Sequence, residues 1–423
     1  PAPRVPAPLA PSGEFAAGML DRIAEALRTA KRPFLLAGRG AWLAGAGEAL
    51  TALADATGAL TSTSALGRGV FGDQRFDLGV TGGFGAEGAM ELIRTADVAV
   101  VFGASLNQFT MRFGALFAPD TQVFQIDVAP AATHAHVGGF VRADARIAAE
   151  ALVARLGTPN FGAEARHADA GVGSDGVSDA GSEVGAAGAG SDVAADGAGS
   201  DGRATPWRES VDVAAARVYE PGDELAPDGR LDPRSAARRL AELLPEDRVV
   251  VSDGGHFIGW ANMYWPVASP DRMMMIGTAF QAIGQGWPSV VGAALARPES
   301  TIVLTSGDGG GLMAIADLES AVRSAGGRGI AVIWNDAAYG AEVNLYGLKG
   351  LAREPMLIPQ VDFAAFAAAV GAEGVVVRTL ADLDRLAAWT TEDPAARPFL
   401  VLDLRISGDV IAPYQQEIIR VNS

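Results

Sequence analysis

One low-complexity segment, residues 158–205, limits most strongly what this chain can fold into. The run from Gly162 to Thr205 consists mainly of Gly, Ala, Ser and Asp and has almost no large apolar side chains. Such a segment buries too little apolar surface to offset the entropy lost on folding. Between His167 and Gly202 it carries seven acidic residues and no Lys or Arg. The sequence therefore predicts a flexible acidic linker, with an acidic docking segment as the alternative.

Short apolar runs alternate with helix-like segments on both sides of this linker. Before it, helical spacing in MLDRIAEALRTA and AGEALTALADATG alternates with the strand-like runs PFLLAG, GALTST, DVAVVFG and TQVFQID. After it, helices alternate with five further runs: RVVVSDGG, TIVLTSGDGG, GIAVIWNDAAYG, GVVVRT and PFLVLDLRI. Strands rich in Val, Ile, Leu and Phe that alternate with helices form parallel sheets covered on both faces. The predicted fold class is α/β, with two doubly wound parallel-sheet domains joined by the flexible acidic linker.

The domain boundaries follow from the same changes in composition. The chain opens with PAPRVPAPLAP, a composition typical of an extended connector between domains. The predicted segments are a proline-rich linker over 1–14, a first domain over 15–157, the acidic linker over 158–205 and a second domain over 206–423.

The overall composition excludes several classes of protein. The chain has 423 residues, a formal net charge of -17 and no cysteine. An acidic chain without a basic stripe is poorly suited to nucleic-acid phosphates, and a chain without cysteine forms neither disulfides nor thiolate metal sites. No apolar run approaches the roughly 18 residues of a membrane span. We therefore expect no nucleic-acid partner, no membrane partner and a cytoplasmic location.

Polar residues follow two of the predicted strands of the second domain. Asp308 comes soon after the strand over 301–306, and Asn335 ends the strand over 330–334. Because the carboxyl ends of parallel strands meet at one edge of a sheet, both side chains should lie where ligands of α/β folds bind. Their oxygens suit Mg²⁺ or Ca²⁺, and the neighbouring glycines let backbone N–H groups approach an anion. The pattern predicts a metal-bridged diphosphate site, with a plain strand-to-helix turn as the alternative.

The spacing of this pattern makes it specific. The GDG triplet is followed by 25 residues and then by Asn335. With its flanking sequences it resembles the signature of thiamine diphosphate enzymes, in the group of acetolactate synthase, benzoylformate decarboxylase and oxalyl-CoA decarboxylase. The resemblance rests on SDGGHFIGW, GTAFQAIGQGWPSVVGAALARPESTIVLTSGDGGGLMAIADLESAV and NDAAYGAEV. The first domain resembles the Rossmann-like central domain of this group, in LLAGRGA, GRGVFGDQRFDLGVTGGFG, ADVAVVFGASL and VFQIDVAPA.

The resemblance implies a metal and cofactor site in the second domain. Asp308 and Asn335 would ligate Mg²⁺ through their side chains, and Ala337 would ligate it through its carbonyl group. The other residues expected around the diphosphate of thiamine diphosphate are Gly255, Gly307, Gly309, Gly310, Tyr339, Gly340 and Ala341.

Four further positions take their implied roles from the same resemblance. Ile283 would hold the cofactor in its bent shape, and the Gln281 carbonyl would accept a hydrogen bond from the cofactor's 4′-amino group. His256 and Phe257 stand where the group often has polar residues near the diphosphate and substrate. His256 is therefore the candidate catalytic residue. The alternatives are an ordinary core position for Ile283 and a helix-capping role for His256.

The first domain contains part of a dinucleotide-binding pattern. The turn Gly38-Arg39-Gly40 begins a G-x-G-x-x-G motif, but Leu43 occupies the position of the third glycine. Central domains of the group sometimes hold FAD or ADP, and this sequence gives no support for either. Asp127 follows a predicted strand, where it would meet a ribose or cap a turn, and we favour the cap.

The resemblance also implies a residue that this sequence does not supply. Enzymes of the group need a glutamate on the aminopyrimidine ring of the cofactor, which a pyrimidine-binding domain contributes ahead of the central domain. Ahead of the central domain this sequence has only the proline-rich stretch 1–14. Either a separate subunit carries that domain and the catalytic Glu, or this sequence is a fragment of a longer chain. We favour the separate subunit, with a homodimer of this chain inside the heteromer.

These expectations combine into one functional hypothesis. The chain would be the diphosphate-binding subunit of a split, Mg²⁺-dependent 2-keto acid decarboxylase or carboligase, similar to acetolactate synthase and active only with its partner. One alternative is a subunit similar to 2-hydroxyacyl-CoA lyase or oxalyl-CoA decarboxylase, which ADP in the first domain would favour. The other is a non-catalytic scaffolding paralogue, for which the metal-ligating pair would have no use.

Overall fold

The structure is a computed structural model that describes residues 7–72, 75–157, 206–267, 269–276 and 282–422. The predicted acidic linker over 158–205, the first six residues and Gln281 lie outside the described residues. The domain boundaries drawn from composition therefore stay predictions.

The first domain is built on a six-stranded sheet. Its strands are β1 Pro33–Ala37, β2 Leu60–Thr63, β3 Asp77–Val80, β4 Val98–Phe102, β5 Gln122–Asp127 and β6 Val137–Arg142. They lie in the order β3-β2-β1-β4-β5-β6, and all neighbours are parallel. The helices are α1 Gly13–Thr29, α2 Arg39–Leu43, α3 Gly47–Thr57, α4 Glu87–Arg94 and α5 Ala145–Leu156. Leu35 belongs to one buried cluster and Leu36 to another, so apolar cores cover both faces of the sheet.

The second domain repeats this architecture. Its strands are β7 Val249–Ser252, β8 Met273–Met275, β9 Ile302–Gly307, β10 Gly329–Asn335, β11 Glu373–Val377 and β12 Leu400–Arg405. They lie in the order β11-β12-β10-β9-β7-β8, again with all neighbours parallel. Val303 and Leu304 lie in different buried clusters, so this sheet too is covered on both faces. The prediction of two doubly wound α/β domains is confirmed.

Helices flank this second sheet and connect its strands. They are α6 Val213–Ala216, α7 Pro233–Leu243, α8 Ile258–Tyr264, α9 Gly286–Ala296, α10 Asp308–Met313, α11 Leu318–Ala325, α12 Gly340–Leu345, α13 Phe363–Ala369, α14 Asp384–Thr391 and α15 Pro413–Asn422. The run GLMAIADLESAVRSA after β9 predicts a single helix. It forms α10, a 3₁₀ turn over Ile315–Asp317 and then α11, because the backbone leaves helical geometry at Ala314, where φ is −119° and ψ is 27°.

Three strands were not predicted from the sequence. They are β3, β6 and β8, and each lies at an edge of its sheet. β3 contains Gly79 with a φ of +82°, and β8 is only three residues long. An edge strand pairs on one side alone, so it forms without the continuous β-branched run that marks a central strand.

Close packing of backbone explains the glycines in the turn after β1. The N–H groups of Gly38 and Gly40 donate to Phe102 O and Gly103 O, each at 2.9 Å. A Cβ on Gly38 would lie 2.3 Å from Gly103 O. These glycines therefore allow the ends of β1 and β4 to approach each other, which accounts for them without a dinucleotide.

Asp127 closes a local turn after β5. Its Oδ1 accepts a hydrogen bond from the Ala129 N–H at 2.9 Å. This is the arrangement that the turn-capping interpretation predicts, since a short Asp side chain readily bonds a backbone N–H two residues on.

The two domains meet in a buried seam. Phe84 and Phe109 of the first domain pack edge-to-face with each other and with Tyr414 of α15, with ring centroids 4.7, 5.4 and 5.8 Å apart. Such aromatic pairs contribute about 0.5–1.5 kcal/mol each beyond the area they bury. Arg68 of the first domain crosses the seam and donates to Asn262 O in α8. The position of α8 therefore depends on contacts with the first domain.

Within the described residues, the helices are too short or too polar to cross a bilayer.

The close approach of Gly38 to Gly103 can be tested by adding a methyl group at position 38. Gly38→Ala should lower the free energy of unfolding by at least about 2 kcal/mol, because the added Cβ would collide with rigid backbone. Gly18→Ala is the matched control, since Gly18 lies on the exposed face of α1 and a Cβ added there would meet no atom within 4 Å. It should raise stability by about 0.5–1 kcal/mol. Urea unfolding of both variants measures the difference, and equal effects would contradict this interpretation.

Candidate functional site

The register of two neighbouring strands brings Asp308 and Asn335 together. β9 and β10 pair in parallel with Trp334 opposite Gly307, so Asp308 and Asn335 follow at equivalent positions of adjacent strands. Both side chains are buried, with 3% and 0% of their surface exposed. The carboxyl edge of the sheet therefore joins the two side chains that the sequence analysis singled out.

The Asn335 amide is held in one orientation. Its Nδ2 donates to Asp403 Oδ1 at 2.8 Å and to Val361 O at 3.0 Å. Its Oδ1 is buried and has no hydrogen-bond partner among the described residues. A buried acceptor left unpaired costs about 1–3 kcal/mol, so this oxygen is suited to a cation that the protein itself does not provide.

Asp308 lies beside a second carboxyl group. Its Oδ1 accepts the Gly309 N–H at 2.9 Å, and the Asp336 carboxyl lies near enough to act on it electrostatically. Burial and the neighbouring Asp336 carboxylate together raise the pKa of Asp308 well above its ordinary value. Burial also raises the pKa of Asp336. A divalent cation between such groups would relieve the repulsion and favour both charged forms.

Ala337 adopts a backbone conformation that is unusual for alanine. Its φ is +62°, in the left-handed region, which costs roughly 1–2 kcal/mol for a residue with a Cβ. The Ala337 carbonyl accepts the Ile358 N–H at 2.9 Å and keeps a second lone pair. Strain of this kind persists where the surrounding structure imposes it, commonly at ligand sites.

These donors fit a hard divalent cation. A carboxylate, an amide oxygen and a backbone carbonyl are the oxygen ligands that Mg²⁺ and Ca²⁺ prefer. Over the part of the chain that the structure describes, no group of three or more His, Asp or Glu side chains is placed to hold a metal. Metal binding at Asp308 would therefore depend on amide and carbonyl oxygens as well as on carboxylates.

A small cavity of about 60 Å³ lies next to these groups. It is lined by most of the residues predicted to surround the diphosphate: Gly255, His256, Ile283, Gly307, Asp308, Gly309, Gly310, Tyr339, Gly340 and Ala341. The predicted ligands Asn335 and Ala337 flank Asp336, which also lines it. The predicted residue Gln281 falls outside the described residues. The volume is far below the roughly 300–1,000 Å³ of a complete cofactor pocket, so these residues enclose only one end of such a molecule.

Two glycines of the GDGGG run are required by close packing against side chains. A Cβ on Gly309 would lie 2.6 Å from the Tyr339 ring, and a Cβ on Gly310 would lie 2.8 Å from Asp253 Oδ2. The Tyr339 ring is thereby packed over the start of α10. A larger residue at either position would force these side chains to move.

Asp253, which the sequence analysis did not single out, organises the loop that carries Ile283. It is buried, and its carboxylate accepts the N–H groups of Gly284 at 3.1 Å and Gln285 at 3.2 Å. It also accepts the Ser306 hydroxyl at 3.2 Å. These bonds restrict the backbone immediately after Ile283. In the sequence, the only indication of this role is that Asp253 directly follows the predicted strand VVVS. Its hydrogen-bond partners are far along the chain and can be identified only from the fold.

His256 is a buried, neutral side chain with a defined tautomer. Its Nε2 accepts the Ala412 N–H at 3.2 Å, so the ring proton is on Nδ1. That Nδ1 lies 3.2 Å from where a Cβ of Gly340 would stand, on the wall of the cavity. Burial lowers the pKa of His256 to about 4. At neutral pH the residue can therefore offer an N–H to an anion in the cavity, but it holds no positive charge.

The chain belongs to the family of thiamine pyrophosphate enzymes. Thiamine pyrophosphate is another name for thiamine diphosphate. The family model of the thiamine pyrophosphate enzyme central domain matches residues 20–156. The model of the C-terminal TPP binding domain matches residues 253–401, which include the whole cavity lining except Ile406. The predicted membership of this family is confirmed.

Individual relatives agree with this assignment. The chain is 28% identical to sulfoacetaldehyde acetyltransferase of Roseovarius nubinhibens over 95% of its own length and 64% of that protein. It is 25% identical to the large subunit of acetolactate synthase isozyme 3 of Escherichia coli, over 72% of its own length and 47% of that protein. The fold matches that of a thiamine diphosphate-dependent 4-hydroxybenzoylformate decarboxylase of Rhodococcus jostii, with a TM-score of 0.64 and 18% sequence identity. The match covers 96% of this chain and 66% of the decarboxylase chain. The chain thus spans just under two thirds of the acetyltransferase.

The tautomer and burial of His256 predict a pH dependence of stability. The pKa of His256 is lower in the folded protein than the ordinary value of 6.5, so protonation favours unfolding. The stability that the neutral imidazole allows is present above pH 6.5 and should fall by about 3 kcal/mol as the pH drops towards 4. His256→Gln removes this contribution, and its side-chain oxygen can still accept the Ala412 N–H.

Unfolding free energies of the two proteins between pH 4 and 7 measure the effect as the difference between their profiles. Parallel profiles for the parent and His256→Gln would contradict a buried neutral His256.

Proposed function

We propose that this chain provides the metal- and diphosphate-binding half of a thiamine diphosphate site in an enzyme that acts on a 2-keto acid. The enzyme would be a decarboxylase or carboligase similar to acetolactate synthase. It would remove CO₂ from the 2-keto acid, and the remaining acyl unit would either take up a proton and leave as an aldehyde or add to the carbonyl carbon of an acceptor. The observation that carries the proposal is the unpaired Asn335 Oδ1 beside the Asp308–Asp336 carboxyl pair. Membership of the family supports the cofactor.

The residues at the carboxyl edge would share the work of binding. Asp308, Asn335 Oδ1 and Ala337 O would hold Mg²⁺, whose positive charge would offset that of the carboxylates and of a diphosphate in the cavity. The Nδ1–H of His256 would donate to an anionic oxygen in the cavity. We therefore assign His256 to binding and orientation, since burial keeps it uncharged at neutral pH.

Ile283 would act by shape. A β-branched side chain has few rotamers, and the hydrogen bonds of Asp253 to the next two residues restrict the backbone beside it. It would therefore present a stiff apolar surface to the cofactor. When bound, thiamine diphosphate supplies the electron sink that carbanion chemistry requires, and the protein supplies orientation and a water-poor cavity.

We further propose that the activating glutamate comes from a separate subunit with a pyrimidine-binding domain, and that this chain forms a homodimer within the heteromer. The small volume enclosed by the described residues supports a site completed by other residues. A second support is the exposed apolar side chains after α12. They are Tyr346, Leu348, Leu351 and Leu357, with 44%, 62%, 57% and 52% of their surface exposed. A partner seated there would cover them and close the cavity.

The metal-site assignment predicts the effect of removing one ligand. Asp308→Ala should lower the Mg²⁺-dependent affinity for thiamine diphosphate in the assembled complex by at least about a hundredfold, because the cation loses a charged ligand. Isothermal titration calorimetry with and without EDTA measures it. Asp120→Ala, an exposed position of the first domain, should bind like the parent protein. Unchanged binding by Asp308→Ala would contradict the assignment.

The proposed partner predicts which preparation is active. This chain alone should release no CO₂ from pyruvate with Mg²⁺ and thiamine diphosphate, since the proposal assigns the activating glutamate to the other subunit. Addition of the pyrimidine-domain subunit should restore turnover, and the two should co-purify. Turnover of 2-keto acids by the 423-residue chain alone would overturn the split-site proposal while leaving the metal site intact.

A further inference from the structure

A second and larger cavity lies between the two domains. Its volume is about 590 Å³, within the range of about 300–1,000 Å³ that small-molecule sites occupy. One wall is the edge strand β3, another is the end of α8 with the residues up to Val267, and a third is the segment 217–219. It shares no lining residue with the cavity at Asp308, so it is a separate feature of the fold.

This cavity, which we call the interdomain cleft, is lined in part by a buried arginine, Arg68. Arg68 is 8% exposed and donates to Asn262 O, to Asn262 Oδ1 at 3.1 Å and to Trp265 O at 3.5 Å. Across the described ranges no carboxylate lies within ion-pair distance of it, and its Nε has no hydrogen-bond partner. Burial lowers the pKa of Arg68 to about 10, so it stays charged at neutral pH. A buried positive charge without a counter-ion favours an anion nearby.

Two more arginines face the cleft from its exposed side. Arg217 and Arg238 are exposed, and neither forms an ion pair with a carboxylate of the described part of the chain. Asp77 is the one carboxyl group among the described lining residues. It accepts the Gly79 N–H at 2.8 Å, and burial raises its pKa to about 6, while Arg217 favours its charged form. The cleft therefore holds three guanidinium groups against one carboxyl group.

The rest of the lining offers an apolar surface. The rings of Tyr219 and Tyr264 lie 5.3 Å apart at their centroids. Their hydroxyls already donate to backbone oxygens, Tyr219 to Phe84 O at 2.7 Å and Tyr264 to Glu220 O at 2.6 Å. A ligand would thus meet their ring faces and edges, and Val218 adds an aliphatic side chain that is 67% exposed. Aromatic faces next to cationic groups suit a molecule with a flat apolar body and a charged end.

We propose that the interdomain cleft binds a small organic anion, with its carboxylate or phosphate group held by Arg217 and Arg238 and its apolar body against Tyr219 and Tyr264. Guanidinium groups bind both oxyanions through paired N–H donors, so the two head groups share one chemistry. The buried charge of Arg68 adds a fixed attraction without a direct contact. This site is independent of the thiamine diphosphate site and of the function proposed above.

The test uses the full chain and three probes that share a phenyl body. Phenyl phosphate and benzoate carry the two oxyanion heads, and benzyl alcohol carries none. Isothermal titration calorimetry should show binding of at least one anion and not of benzyl alcohol. The preferred anion then tells a phosphate ligand from a carboxylate ligand.

Substitutions at the exposed rim keep the fold and remove the head-group contacts. The double variant Arg217→Gln with Arg238→Gln should weaken binding of the preferred anion by at least about tenfold. Arg239→Gln is the matched control, because Arg239 lies on the same helix, carries the same charge and does not line the cleft. It should bind like the parent protein.

Three results would overturn the proposal. One is the absence of binding of both anions at millimolar concentration, and another is equal binding of benzyl alcohol. The third is anion binding that the double variant leaves unchanged, which would place the anion elsewhere, for example at the diphosphate site.

Discussion

The two hydrogen bonds donated by Asn335 Nδ2, to Asp403 and to Val361 O, determine how the rest of the site is arranged. They turn the amide so that its oxygen is buried without a partner among the described residues, next to the carboxyl pair at the end of β9. Asp403 is itself held by Arg405 and by the Phe363 N–H. The ligand set therefore depends on the register of three strands, β9, β10 and β12, which place these groups at one sheet edge.

The sequence predicted the central strands of each sheet and missed three of the four edge strands, β11 being the exception. Central strands such as β9 and β10 are buried on both faces and form continuous apolar runs, which is why their number and direction could be inferred. The edge strands β3, β6 and β8 carry glycines or span three residues, and their pairing depends on a neighbour that only the tertiary fold supplies. The helix predicted after β9 is divided in two because the backbone leaves helical geometry at Ala314.

The candidate site shows the same division between local and tertiary information. Asp308 and Asn335 could be predicted because a fixed spacing on neighbouring parallel strands brings them to one edge. Asp253, Asp336 and Asp403 were not predicted, because their importance comes from contacts with groups far along the chain. An Asp after a strand is a common turn residue, and nothing in its local sequence tells a capping carboxylate from one that orients a ligand.

The strained and unpaired groups at the sheet edge have a consequence for the life of the protein in the cell. The orphan oxygen of Asn335 costs the domain about 1–3 kcal/mol when no ligand satisfies it, and the left-handed Ala337 costs roughly 1–2 kcal/mol. A ligand that does so adds its binding free energy to that of folding. A newly made chain would therefore be an easier substrate for proteases before loading than after it. With the ligands proposed above, its abundance would then follow the supply of thiamine diphosphate and Mg²⁺.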